Sequence, residues 1–211
     1  VKWTGTGSAT TLGHGLGVAP KLIIVKDTTN TNDWAVYHGG VASDAQTDYL
    51  LLNSYAAVAD DATYWNDTAP TSTVFSVGTN ADTNTSSAVM IAYVWAEVDG
   101  FSRFSSFEGN GNADGPFVYT GFRPRMLIVK DIDRGENWVM FDSERNTYNP
   151  VDKGIYPNDG AAETTGSGSG FDVDFLGTGF KLRCTHDNMN GSSTYIYACW
   201  GDVPTKYGNT F

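Results

Sequence analysis

Two unbroken apolar runs, residues 22–25 (LIIV) and 126–129 (MLIV), dominate the hydrophobic pattern, each with a proline shortly before it and Lys-Asp directly after. Four apolar residues in a row read as a strand covered on both faces. Pro20 and Pro124 can open such a strand without losing a ladder hydrogen bond, and Lys26-Asp27 marks where the chain is expected to reach solvent. A polar turn over 27–33 follows, and the chain returns as Trp34-Ala35-Val36-Tyr37, which predicts a hairpin with a tryptophan just past its turn. Further on, 89–95 and 195–200 alternate large and small side chains as half-buried strands do. These elements predict an all-β fold with almost no helix, built as two tandem antiparallel β-sandwiches of jelly-roll-like type.

The tandem arrangement follows from an internal repeat. Adding 104 to residues 17–37 lands on 121–141 without a gap, and Gly17, Pro20, Ile24, Val25, Lys26, Asp27 and Trp34 recur as Gly121, Pro124, Ile128, Val129, Lys130, Asp131 and Trp138. Upstream, Trp3, Gly5 and Gly7 recur as Phe107, Gly109 and Gly111, so the unit is nearly a whole domain. Each Gly-x-Gly reads as a tight turn or bulge; Gly13, Gly15 and Gly17 would suit a phosphate loop only if a helix followed, and none is predicted. The copies diverge over 38–65 and 142–170, and rejoin with Trp95 opposite Trp200 at an offset of 105. Residues 161–170 (AAETTGSGSG) read as a mobile loop, and 97–100 (EVDG) as the junction between domains 1–99 and 100–211.

Composition narrows the partners. The net charge of -11 repels phosphate backbones and anionic headgroups, which argues against nucleic acid. No apolar run reaches the roughly 20 residues of a membrane span, and no basic-then-apolar signal segment opens the chain, so membrane insertion is not expected. The start at Val1 is what a fragment or processed product would show. Cys184 and Cys199 fall opposite Thr79 and Val94, and a disulfide framework should staple both copies; two free, half-buried thiols are expected, out of register across a hairpin turning near Met189.

Candidate chemistry is sparse. His14, His38 and His186 face Val118, Asp142 and Ala81 in the other copy and share no ligand spacing, and no nucleophile elbow, Walker loop or zincin motif is present. The chain is therefore read as a non-enzyme without a cofactor. One exception is calcium at the turn holding Asp131, Asp133 and Glu136, which opens like a calcium loop but lacks the bidentate Glu at position twelve. Trp34 with Trp138 and Trp95 with Trp200 are matched pairs, and repetition argues for core. Trp65 has no counterpart; with its neighbour Tyr64 it is the leading sugar-stacking candidate, followed by Tyr148 and Tyr156 in the divergent segment of the second copy.

The second copy carries a resemblance. Residues 100–104 (GFSRF), 109–124 (GNGNADGPFVYTGFRP), Asn137-Trp138 and 143–149 (SERNTYN) resemble a repeated β-rich domain of tailed-bacteriophage virion proteins, common in marine phages; His14-Gly15-Leu16-Gly17 and 68–71 (TAPT) carry it into the first copy. The resemblance implies a place on the virion, in a tail fibre, tail tip or other surface structure, and no catalytic residues. The reading it supports is a host-recognition module binding a cell-surface glycan or protein, in contact with other virion proteins and assembled as a homo-oligomer, a trimer for preference. The alternatives are a decoration protein that binds no receptor and a tail-associated glycan-degrading enzyme.

Overall fold

The computed structural model describes residues 1–164 and 170–202. The chain divides into two compact units, Val1–Ala96 with Ile132–Gly135, and Glu97–Asp131 with the chain from Glu136 onward. The fold is all-β: among the described residues strands make up 39% and helix, in three single turns, only 6%. The central part of the expected mobile loop, 165–169, lies outside the described residues.

The first unit runs β1 (Lys2–Thr4), β2 (Thr10–Gly13), β3 (Leu22–Asp27), β4 (Trp34–His38), β5 (Asp48–Leu51), β6 (Ala59–Asp60), α1 (Ala62–Trp65), β7 (Val74–Val77), α2 (Ala81–Asn84) and β8 (Val89–Trp95). The second runs β9 (Ser102–Glu108), β10 (Phe117–Tyr119), β11 (Pro124–Asp131), β12 (Val139–Asp142), β13 (Val173–Leu176), β14 (Gly179–Leu182), α3 (Asp187–Asn190) and β15 (Thr194–Gly201). Each unit has a larger antiparallel sheet, β1-β8-β3-β4-β5-β6 or β9-β15-β11-β12, and a smaller one, β2-β7 or β10-β14-β13. The expected hairpin is β3-β4, pairing Ile24 with Val36, and its copy β11-β12 pairs Ile128 with Met140.

The two sheets of a unit share one core. In the first, Ile23, Val25 and Met90 of the larger sheet meet Phe75 and Val77 of the smaller; in the second, Leu127, Val129, Tyr195 and Tyr197 meet Phe175, Phe180 and Leu182. β3 and β11 are central strands, but the expected cover on both faces is only partial: Ile23, Val25, Leu127 and Val129 are buried, while Ile24, Met126 and Ile128 on the opposite face are half-buried. The pairing of Trp3 with Met90 reappears as Phe107 with Tyr195, and that of Leu22 with Trp95 as Met126 with Trp200.

The ends of β3 and β11 do not reach solvent as expected. Asp27, Lys130 and Asp131 are fully buried. Asp27 tolerates burial because its carboxylate accepts four hydrogen bonds, from the amides of Thr29 and Asn30 at 2.8 and 3.0 Å and from the side chains of Asn30 and Asn32, both at 2.9 Å. Burial would raise this carboxyl, but the bonds from Asn30 and Thr29 outweigh it and hold the pKa at about 2.

The Gly-x-Gly turns are structural. A Cβ on Gly5 would lie 2.0 Å from the carbonyl oxygen of Thr85, and one on Gly109 2.1 Å from that of Gly191, while Gly7 and Gly111 take φ of +68° and +63°. The turns are held by a buried asparagine in each unit. Asn84 donates to the carbonyls of Ser8 and Gly78 at 2.7 and 3.0 Å and accepts from the Thr6 amide at 2.9 Å. Asn190 donates to the carbonyls of Asn112 and Cys184 at 2.8 and 2.7 Å and accepts from the Asn110 amide at 2.9 Å.

Met189 lies in α3 rather than at a hairpin turn, and is buried. Cys184 follows β14 in the smaller sheet, and Cys199 lies in β15 of the larger. Both thiols are free and buried rather than half-buried. Burial pushes the Cys184 pKa up to about 11 and raises that of Cys199 as well, so both stay protonated and unreactive at neutral pH.

Candidate functional site

The structure separates the four aromatic candidates. Trp65 is only 2% exposed, at the end of α1, whose turn Asp61 caps by accepting from the Thr63 amide at 2.8 Å. Its ring meets Tyr37 edge-on at 5.9 Å. Tyr64 is buried too, stacked on Tyr49 at 3.7 Å with its hydroxyl donating to Asp82 at 2.7 Å. Neither ring can offer a face to a sugar, and both are corrected to core.

Repetition was an unreliable guide to tryptophan burial. Trp138 is buried as expected, but Trp34, Trp95 and Trp200 are only half-buried. The Lys26 ammonium lies 5.6 Å from the centre of the Trp34 ring. Tyr156 is half-buried and packs edge-on against Phe171 at 5.9 Å as part of the second core, which removes it as a platform.

Tyr148 keeps its place: it is 84% exposed. It sits on a loop tied down at both flanks. The Asn146 side chain donates to Asp152 at 2.9 Å, and Asn149 exchanges bonds with the backbone of Phe175, donating to its carbonyl at 3.1 Å and accepting from its amide at 2.9 Å. At the start of the loop Arg145 bridges Asp142 and Glu163 at 2.6 and 2.8 Å. Burial would raise the Asp142 carboxyl, but the Arg145 bonds outweigh it and hold it below the usual carboxylate range. Tyr148 is thus displayed by a braced loop.

The calcium candidates do not converge. Asp131 is fully buried, Asp133 exposed and Glu136 half-buried. Among the described residues no group of three or more His, Cys, Asp or Glu side chains is placed to hold a metal ion. Lys130, just before this turn, donates to the Asp131 carbonyl at 2.6 Å. Burial pulls its ammonium down to about 8 while Asp131 and Glu136 act the other way.

The histidines serve the backbone. His14 Nδ1 accepts from the Leu16 amide at 3.2 Å, His38 Nδ1 from the Gly40 amide at 3.1 Å, and His186 Nδ1 from the Asn188 amide at 3.2 Å. His186 caps α3 as Asn80 caps α2, so its counterpart is Asn80 rather than Ala81, and the offset here is 106. That slip hides the equivalence of Asn84 and Asn190 in an ungapped alignment.

Further exposed rings were missed by sequence reasoning: Tyr55 and Tyr93 in the first unit, Phe117 and Tyr119 in the second. The signal for the last two was present, since aromatics alternate with a valine in 117–119 where the first copy has no aromatic residue.

Two all-β units on one plan, one of them displaying an aromatic loop, define a repeated β-domain class. The chain belongs to the DUF7483 family, a domain of unknown function, which matches residues 1–204. No curated protein and no solved structure matches it.

Proposed function

We propose that the chain is a surface module of a tailed-bacteriophage virion, carried on a tail fibre or tail tip, that recognises a host cell-surface glycan without chemically altering it. The resemblance of 100–149 to repeated virion domains supports the location. The observation that carries recognition is Tyr148, 84% exposed at the tip of a loop braced at Asn146 and Asn149. A bare aromatic ring packs against the C–H face of a sugar, and a braced loop loses little entropy on binding. The residues shared by the copies lie in cores and turns, so divergence falls where a ligand can be met. Chemistry is disfavoured because the three histidines bond backbone amides, the Asp27 carboxylate is saturated and burial keeps both thiols protonated.

A single shallow sugar site binds weakly, so the module works as a homo-oligomer, a trimer for preference, whose avidity supplies useful affinity. The test is adsorption competition: excess 211-residue chain, presented as its native oligomer, slows attachment of the parent phage to its host. Unchanged attachment, with the chain still assembling onto virions, would replace recognition by decoration.

A further inference from the structure

The smaller sheet of the second unit has a face that the first unit does not reproduce. On the core side of β10-β14-β13, Val118, Phe180 and Phe175 are buried. On the opposite side Phe117 is paired with Lys181, which is paired in turn with Asp174, and Tyr119 is paired with Gly179. Phe117 is 47% and Tyr119 64% exposed. In the first unit the pairs are Thr11 with Ser76 and Gly13 with Val74, with no aromatic side chain.

Both rings rest against glycine. The would-be Cβ of Gly179 lies 3.0 Å from the Phe117 ring, and that of Gly121 3.6 Å from the Tyr119 hydroxyl. Covering a glycine accounts for where each ring lies; it does not account for two rings side by side with bare outer surfaces. Residues two apart on a strand stand about 7 Å from each other on one face, a span that suits one or two pyranose rings.

The charges beside the rings are paired. Lys181 contacts Asp114 at 2.8 Å, Arg183 contacts Asp174 at 2.7 Å, and Arg183 also lies 3.8 Å from Asp114. The face is therefore locally neutral while rich in groups that bond hydroxyls. A carboxylated or sulfated ligand would have to break these pairs and approach a chain of net charge -11.

Resting on the glycan-recognition reading above, we infer that the outer face of the β10-β14-β13 sheet is a glycan-binding shelf, with Phe117 and Tyr119 stacking on the sugar and Lys181, Asp114, Asp174 and Arg183 bonding its hydroxyls, and that it selects neutral sugars. The test is a glycan array bearing neutral, sialylated and sulfated oligosaccharides, probed with the full chain as wild type, Phe117→Ala, Tyr119→Ala and Thr11→Ala, each checked by thermal melt. The wild type and Thr11→Ala bind neutral oligosaccharides, and each aromatic variant binds about tenfold or more weakly with its melt unchanged. If Phe117→Ala unfolds, Tyr119→Ala alone decides. Wild-type binding that Tyr119→Ala leaves intact overturns the shelf while the recognition reading stands. Binding confined to sialylated or sulfated sugars overturns the neutral selectivity. No binding to any arrayed glycan counts against the recognition reading itself, and the shelf falls with it.

Discussion

Trp65 shows how a single residue can invert an argument from repetition. It has no counterpart in the other copy, yet it is among the largest fully buried side chains, and its indole N–H has no partner, so it acts there purely as hydrocarbon. Trp65→Ala is expected to lower stability by about 3–5 kcal/mol. Trp138→Ala should fall in the same range, with Trp34→Ala well below both. Denaturant melts of the three variants check this, and a small loss at Trp65 would show that its site collapses or lies open. Asp27 makes a prediction in pH. Its folded pKa of about 2 lies below the ordinary carboxyl value of 3.8, so its contribution is fully present above about pH 4 and is lost as pH falls toward 2. That contribution is about 2 kcal/mol. Asp27→Asn should flatten the acid slope between pH 4 and pH 2 in urea melts, and an unchanged slope would mean that other carboxylates carry it.

Among the elements, β3, β4, β11 and β12 were legible because a central strand writes itself as an apolar run and a hairpin returns on the far side of a polar turn. The single-turn helices were not, since four residues are too few to show a period and depend on one local cap each, Asp61, Asn80 or His186. The Gly-x-Gly turns were legible as turns, but not the asparagines that hold them, because Asn84 and Asn190 lie at an offset of 106 when the flanking strands run at 104 and 105. Asn84→Ala and Asn190→Ala each leave several buried backbone groups unpaired and are expected to lower stability by about 3 kcal/mol or more, read by thermal melt. A loss near zero would show that water replaces the amide. Burial of Asp131 was hidden too, because a run of charges past a strand normally marks solvent, and here Lys130 folds back onto the turn. Added calcium should leave the thermal midpoint where EDTA leaves it; a calcium-dependent rise would restore a metal to that turn.

For the whole molecule, the duplicated plan makes the second copy a natural control for the first. Residues occupying the same place in both units hold the fold: the glycines at Gly5 and Gly109, the asparagines at Asn84 and Asn190, the ladder of β3 and β11. Candidate binding groups are found by subtraction, at Tyr148 and on the β10 face. The sequence pointed to Tyr148 through divergence, whereas Phe117 and Tyr119 lie in a segment that resembles repeated virion domains along its whole length, which singles out no residue within it. Their exposure depends on which way a three-residue edge strand faces, and that is set by the packing of Val118 into the core of the second unit. The central claim is glycan recognition, and the most direct measurement is surface plasmon resonance of the full chain over purified, protein-free envelope polysaccharide of the host. Saturable binding that free oligosaccharide from the same polymer competes away is the expected result; a flat response, with the chain still attaching to intact host cells or to virions, would contradict it.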